Sequence, residues 1–334
     1  MDPRVLAHVV SAIGPASAAF GEAARQRVAG AHAEPLERLA VALGAAQHTA
    51  APRGARRVIA VVVGDHGVGD PGIALGAAHP TVVAAHAIAD GSAALAELAR
   101  RSGAPIVLVD AGAREPGAMP ASAVKLAGAA SRDLLAGPAM TVVDAALGLE
   151  AGIALAVALA DGGLDVLGLG ALGLGAEVSS AALLGAALGA APTGLADPLA
   201  EEAGAHGARL ARSGASALER LAALGGPETA VLAGAILAAA SMNIPVVLDS
   251  YATGAAALAA CAFAPEVRGY LIAAQAGTFT QPAILSVLGA RPVFAVGLGQ
   301  GEGTGAAMVL PLIDQVTALA HRGPGPTGPA GLGG

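Results

Sequence analysis

The stretch GQGEGTGAAM, residues 299 to 308, sets one carboxylate, Glu302, among four glycines and a threonine. An acid in such a segment has two physical uses. It can take a proton as a general base, or it can cap the apolar helix that follows and gain from the positive end of its dipole. The residues alone leave both open. Thr304 is placed to cap that helix, and the glycines let a ligand approach the backbone closely.

A second candidate is the Asp65-His66 pair, which ends the apolar run VIAVVVGDHG. It reads either as an acid–base couple or as a turn in which the Asp caps the next element. His79 and His86 stand seven apart and can share a helical face, but with no cysteine or second acidic cluster beside them they do not define a metal site. Cys261 is the only cysteine and lies in the apolar run AALAACAFAP, so it reads as a small buried residue. It also excludes an internal disulfide and a multi-thiolate metal centre. No cofactor is expected.

GLGALG at 168 to 173 fits the dinucleotide pattern G-x-G-x-x-G between a predicted strand and a predicted helix. Glycine is 48 of 334 residues, so that pattern arises by chance about once in a chain of this length. The broader expectation is a backbone-lined anion site at a helix N-terminus.

These residues need a scaffold. VIAVVVGDHG, APIVLVDAGA, LDVLGLGALG, IPVVLDSYATG, GYLIAAQAG and PVFAVGLGQG are short apolar runs, each ending in glycine, Asp or a small polar residue. Alanine-rich helical stretches separate them. Six strands alternating with helices predict an α/β fold, a doubly wound, mostly parallel, Rossmann-like sheet in three layers. Residues 1–52 read as an N-terminal helical segment, with Leu36, Leu39, Val41 and Leu43 on one broad face. Residues 53–300 read as the α/β domain. Residues 301–322 form a last helix, from about Thr304 to His321, that rejoins the N-terminal helices as a small lobe. The tail 323–334, GPGPTGPAGLGG, has too little to bury and is expected to be disordered.

Composition narrows the partners. A net charge of −7 and 2% aromatics argue against a nucleic-acid surface. Lys125 is the only lysine, so a phosphate must be held by arginine, backbone N–H groups or helix N-termini. The opening MDPRVLAHVVSAIG lacks the pattern of a secretory signal, and Asp161, Asp165 and Glu177 interrupt the apolar stretches around 151 to 196. A cytoplasmic protein with small-molecule partners and no membrane partner is expected.

GEGTGAAMVLPLIDQVTALA resembles the C-terminal signature of the nicotinate-nucleotide–dimethylbenzimidazole phosphoribosyltransferases, L-G-E-G-T-G-A followed by an apolar helix. In that family the glutamate is the catalytic base, and Glu302 matches it. GDHGV at 64 to 68, ADGSAALAELARRSGAPIVLVDAGA, GPAMT at 137 to 141, GGPETAVLAGAILAAA and IPVVLDSYATGAAALAA are similar, in order, to further family blocks. The likeness covers about residues 36 to 322.

The departures concern the polar groups around donor and acceptor. Where the family reads G-E-M-G-I-G-N-T-T, this chain has GALGLGAEV: Ala171 replaces the acid, Ala176, Glu177 and Val178 replace N-T-T, and Gly173 and Gly175 remain. The family's donor-phosphate lysine is absent, with Arg209 or Arg212 as substitutes. The loop S-H-x-S-x-E-x-G-H is AAQAGTFTQPA, and a glutamine that helps hold the benzimidazole aligns with His86.

The resemblance implies transfer of ribose 5-phosphate from nicotinate mononucleotide, or a related nucleotide, to dimethylbenzimidazole or an unusual aromatic acceptor. The donor's pyridinium leaving group already activates the glycosidic bond, so one carboxylate to take the acceptor's proton suffices. On this reading Glu302 is the base. Gly173, Gly175, Gly303, Thr304, Gly305 and Arg209 shape the donor site, and His86, Asp65 and His66 the acceptor site. For His86, a plain helix-face histidine is the competing reading. A homodimer is implied, a heterodimer with a homologue being the alternative. Two other functions are compatible with the residues: a non-catalytic or half-catalytic nucleotide-binding subunit paired with a complete homologue, and an unrelated small-molecule binder on a similar sheet.

Overall fold

Short β-branched runs without polar alternation must be covered on both faces, and a parallel sheet between helical layers does this. The computed structural model describes residues 3–29, 34–68, 72–126, 128–277, 280–297 and 301–322. The predicted tail at 323–334 lies outside the described residues. The strands are β1 Arg57–Gly64, β2 Ile106–Gly112, β3 Val124–Lys125, β4 Val166–Leu172, β5 Val246–Leu248 and β6 Leu271–Ala273. They form one sheet in the order β3-β2-β1-β4-β5-β6, with every pairing parallel. The chain winds outward from β1 in one direction, then from β4 in the other.

Thirteen α-helices are described. α1 Pro3–Ala12, α2 Ala18–Val28 and α3 Glu34–Ala46 precede the sheet; α4 Pro80–Asp90 and α5 Ala94–Arg101 connect β1 to β2. α6 Val142–Asp161 leads to β4, and α7 Ala176–Leu188, α8 Pro198–Arg212, α9 Ala217–Leu224 and α10 Pro227–Ser241 lead to β5. α11 Tyr251–Phe263, α12 Thr280–Leu288 and α13 Thr304–Arg322 complete the chain.

Alternation along β1 shows how the layers divide. Ala60 and Val62 face a core shared with α6, α7, α10 and α11. Ile59, Val61 and Val63 face a core shared with α2, α3, α4, α5 and α13. In α3, Leu39 and Leu43 are buried, while Leu36 and Val41 are half-buried. α13 packs against α2 and α3 as well as against the sheet, so these three helices share one apolar layer, while α1 packs on α10 and α6 in the other.

One strand differs from the sequence expectation. PVFAVGL adds no full strand: Phe294 forms a single parallel bridge with Gln275 beyond the end of β6. Pro292 has no N–H to give, and pairing is limited to Val293 and Phe294 donating to the Ala273 and Ala274 carbonyls and Ala276 donating to Phe294. The sixth strand is β3, two residues at the outer edge. Its brevity leaves no pattern to read.

The length and apolarity of α6 would also suit a bilayer crossing. Here it packs closely on α10, where a Cβ on Gly148 would lie 2.6 Å from the Ala230 methyl and one on Gly152 would strike the Val231 backbone. The apolar stretch Pro80–Arg101 is two helices, α4 ending at Gly91 with φ 87°.

The glycines of GLGALG have a packing role. Gly168 and Gly170 lie two apart in β4, hence on one face. A Cβ on Gly168 would sit 3.5 Å from the Ala306 methyl, and one on Gly170 would sit 2.5 Å from the Glu302 carbonyl carbon. Bare backbone in β4 thus brings the start of α13 onto the sheet. Gly170→Ala should destabilise the protein by about 1–3 kcal/mol, read by chemical denaturation, because backbone has to move to admit the methyl. Wild-type stability in that variant would contradict the close approach.

Candidate active site

In an open α/β sheet a ligand crevice forms beyond the carboxyl ends of the strands where the winding reverses. Here that point lies between β1 and β4. Asp65, just past β1, ties the edge together. Its Oδ1 accepts from Thr81 Oγ1 at 2.6 Å and from the Leu174 N–H at 2.9 Å; its Oδ2 accepts from the Arg114 N–H at 2.8 Å. One carboxylate therefore joins the ends of β1, β2 and β4 to the first turn of α4.

His66 makes a second tie. Its Nε2 lies 3.0 Å from Glu228 Oε1 and its Nδ1 3.4 Å from Ser131 Oγ. Thr229 Oγ1 also donates to Glu228 Oε1 at 2.7 Å. Both members of the His–Glu pair are buried. Burial works against the charged forms, but Glu228 and Asp65 hold the His66 pKa above its ordinary value, and His66 holds Glu228 below its own. Space for the pair comes from missing side chains. A Cβ on Gly64 would meet Glu228 Oε2 at 2.5 Å, and one on Gly175 would meet the His66 Cβ at 2.9 Å.

Asp65 and His66, expected at the acceptor site, are buried, and their polar atoms are engaged inside the protein, where they fix the loop after β1. Gly175, with φ 80°, precedes α7 and supports His66, while the bare side of Gly173 is turned to the Gly64 carbonyl.

Glu302 reaches the same edge by backbone pairing. The Ala171 N–H in β4 donates to the Gly301 carbonyl at 3.0 Å, and the Gly303 N–H donates to Asp249 Oδ2 at 2.8 Å. Asp249, just past β5, also accepts on Oδ1 from Gln275 Nε2 at 3.2 Å; burial pushes its pKa up, and the N–H groups of Gly303, Gly305 and Ala306 oppose the rise. Asp249 is thus the cap of α13. Thr304, expected as the cap, is the helix's first residue.

With Asp249 at the start of α13, the Glu302 carboxylate is not used to cap that helix. Glu302 is half-buried, and among the described residues no donor reaches its carboxylate. Burial pushes its pKa up, and the neighbouring Asp249 charge adds to the rise. An unpaired carboxylate with a raised pKa at a crevice can accept a proton from a ligand. Gly303 sits beside it at φ 108°, and its bare side faces Ile59 and Leu95. The bare side of Gly305 faces Asp249. Both glycines serve the packing of α13.

Two expected residues stand apart from this cluster. Arg209 is exposed in the last turn of α8, a helix packed on α7 and α9. His86 is exposed on α4, its Nε2 2.9 Å from the Ala118 carbonyl, and lines an open depression with Val83 and Asp90. Residues not singled out from the sequence join the edge instead: Asp249, Glu228, Ser131, Tyr251 and Glu177. Tyr251 opens α11; burial and the charges of Glu177 and Glu228 raise its pKa. Glu177 accepts from Thr280 Oγ1 at 3.3 Å. The apolar-run-then-acid pattern of VVLDS and the GGPE segment before α10 were the available signals for Asp249 and Glu228.

The fold and this edge define an α/β protein with polar residues gathered at the carboxyl ends of its strands, and the comparisons with known proteins place its class. A family model described as phosphoribosyltransferase matches residues 13–323. A nicotinate-nucleotide–dimethylbenzimidazole phosphoribosyltransferase of Desulforudis audaxviator is 33% identical, covering 94% of each chain. One from Azotobacter vinelandii is 37% identical over 85% of each. The crystal structure of the Thermus thermophilus enzyme of that name superposes with a TM-score of 0.75 at 27% identity, covering 96% of both chains. The chain belongs to the nicotinate-nucleotide–dimethylbenzimidazole phosphoribosyltransferase family.

Glu228→Gln tests the buried pair. It should cost about 3–5 kcal/mol of stability near neutral pH, because one partner of a buried pair loses the other. His66 has a raised folded-state pKa, so its contribution is fully present below the unfolded value of 6.5 and fades as pH rises through the folded value. The wild-type advantage over the variant, measured by denaturation, should shrink in that upper range. A difference independent of pH would contradict a charged pair.

Proposed function

We propose that the protein transfers ribose 5-phosphate from nicotinate mononucleotide to 5,6-dimethylbenzimidazole or a closely related aromatic base, with Glu302 as general base. The observation that carries this reading is the uncapped, half-buried Glu302 carboxylate beside the winding reversal, with its pKa raised by burial and by Asp249. The family relationship supplies the reaction class, and the relatives' names supply the substrates. The acceptor attacks C1′ through a ring nitrogen lone pair. The C1′–N bond to the pyridinium breaks, its electron pair leaves with nicotinate, and Glu302 takes the proton from the acceptor's other ring nitrogen.

The rest of the edge positions the reactants. The N-termini of α7, α10, α11 and α13 lie at the strands' carboxyl ends, and their positive ends favour a bound phosphate. That offers an account of donor binding without the family lysine, with backbone N–H groups such as those near Gly173 and Gly175 in its place. We also read the protein as cytoplasmic and homodimeric, with α13 and the N-terminal helices as a small lobe beside the nucleotide-binding domain.

Incubation with nicotinate mononucleotide across a panel of benzimidazoles, purines and phenols, followed by chromatography and mass spectrometry, tests this. Acceptor-dependent nicotinate release should appear, and Glu302→Gln should lower kcat by about 10²–10⁴-fold with donor affinity retained. Release unchanged by that substitution would remove Glu302 from the chemistry. Folded protein that binds the nucleotide but releases nothing with any acceptor would contradict the proposed activity.

A further inference from the structure

We propose that Asp249 is a positioning residue for Glu302: it reaches from the end of β5 into the N-terminus of α13 and takes the helix's free N–H groups, leaving the Glu302 carboxylate uncapped for proton transfer. This rests on Glu302 being the base. A glutamate two residues before such a helix would otherwise find donors there, and a carboxylate held by backbone N–H groups is a weak base.

The geometry assigns those donors elsewhere. Gly303 N–H is 2.8 Å from Asp249 Oδ2, the Gln275 amide holds the other oxygen at 3.2 Å, and the N–H groups of Gly305 and Ala306 in the first turn help stabilise the carboxylate against burial. Gly305 has no side chain where one would collide with Asp249 Oδ1. Asp249 is itself buried, so its carboxylate is fixed by these bonds and not by water. The other neighbours of the Glu302 segment carry no charge: Gly170 and Ala171 from β4, Ser250 before α11, Ile59 from β1 and Leu95 from α5. Asp249 is therefore the charged group that bears on Glu302 among the described residues, and its negative charge favours the protonated form of Glu302. One carboxylate both vacates the cap and strengthens the base.

Asp249→Asn tests the assignment, since it keeps the shape and removes the charge. Carboxyl ¹³C NMR of labelled glutamate, with Glu302→Gln to identify the resonance, gives the Glu302 midpoint without turnover; the acid limb of kcat/KM gives it with turnover. Both should move down together by about one pH unit, with donor KM changed less than about twofold. A purely structural Asp249 would lower thermal stability and leave the midpoint where it is, which would overturn the proposal. If Asp249→Asn does not fold, Gly305→Ala, which pushes the carboxylate off the helix, should shift the midpoint in the same direction, and no shift there overturns it equally. The base reading fails separately, if Glu302→Gln retains transfer while the NMR midpoint still responds to Asp249.

Discussion

A helix N-terminus pressed against a glycine-faced strand is the contact on which this site depends. Gly168 and Gly170 strip one face of β4, so the start of α13 lies on the sheet with backbone against backbone. The approach fixes Glu302 by its own main chain, through the pairing of Gly301 with Ala171, before any side chain is placed. Asp249 then closes the helix from the neighbouring strand end. A side chain on Gly170 would push the acid's backbone outward. Precision in an otherwise mobile side chain is thus obtained from rigid neighbours.

Buried polar ties hold the opposite side of the crevice. Asp65 joins three strand ends to α4, and the His66–Glu228 pair joins β1 to α10. Neither is a favourable burial in itself, because desolvation opposes both charges. Both oxygens of Asp65, Oε1 of Glu228 and both ring nitrogens of His66 are met by partners at strand and helix ends, which offsets much of that cost. The strand edge therefore carries acids that are mostly bonded within the protein, with Glu228 Oε2 buried and unpartnered and Glu302 the half-buried acid that no donor reaches among the described residues.

Much of this was legible in the sequence. Apolar runs ending in glycine or Asp marked β1, β2, β4, β5 and β6, because strands covered on both faces need no polar alternation. The predicted last helix, Thr304 to His321, differs from α13 by one residue. What could not be read depended on pairing across the chain. β3 has only two residues, and PVFAVGL lost its strand to Pro292 and to the end of its partner. Asp65 and His66 read as either an acid–base couple or a turn; both are buried with their side chains bonded inside the protein, which local sequence does not reveal. The cap of α13 comes from Asp249, 55 residues before Thr304, where no local capping rule applies. The polar departures from the family pattern are legible as substitutions, yet their meaning is spatial. Ala171 points to the α10 side of the sheet with Leu167 and Leu169, whereas Glu177 joins Tyr251 and Thr280 at the crevice.

The most direct test of the account is a crystal structure of the Glu302→Gln variant with nicotinate mononucleotide and 5,6-dimethylbenzimidazole bound. The account predicts the nucleotide across the β1–β4 reversal, with an acceptor ring nitrogen about 2.6–3.2 Å from the side chain at position 302 and Asp249 still seated in the N-terminus of α13. An acceptor bound away from that side chain, or a side chain at 302 folded onto the helix N–H groups in place of Asp249, would contradict it.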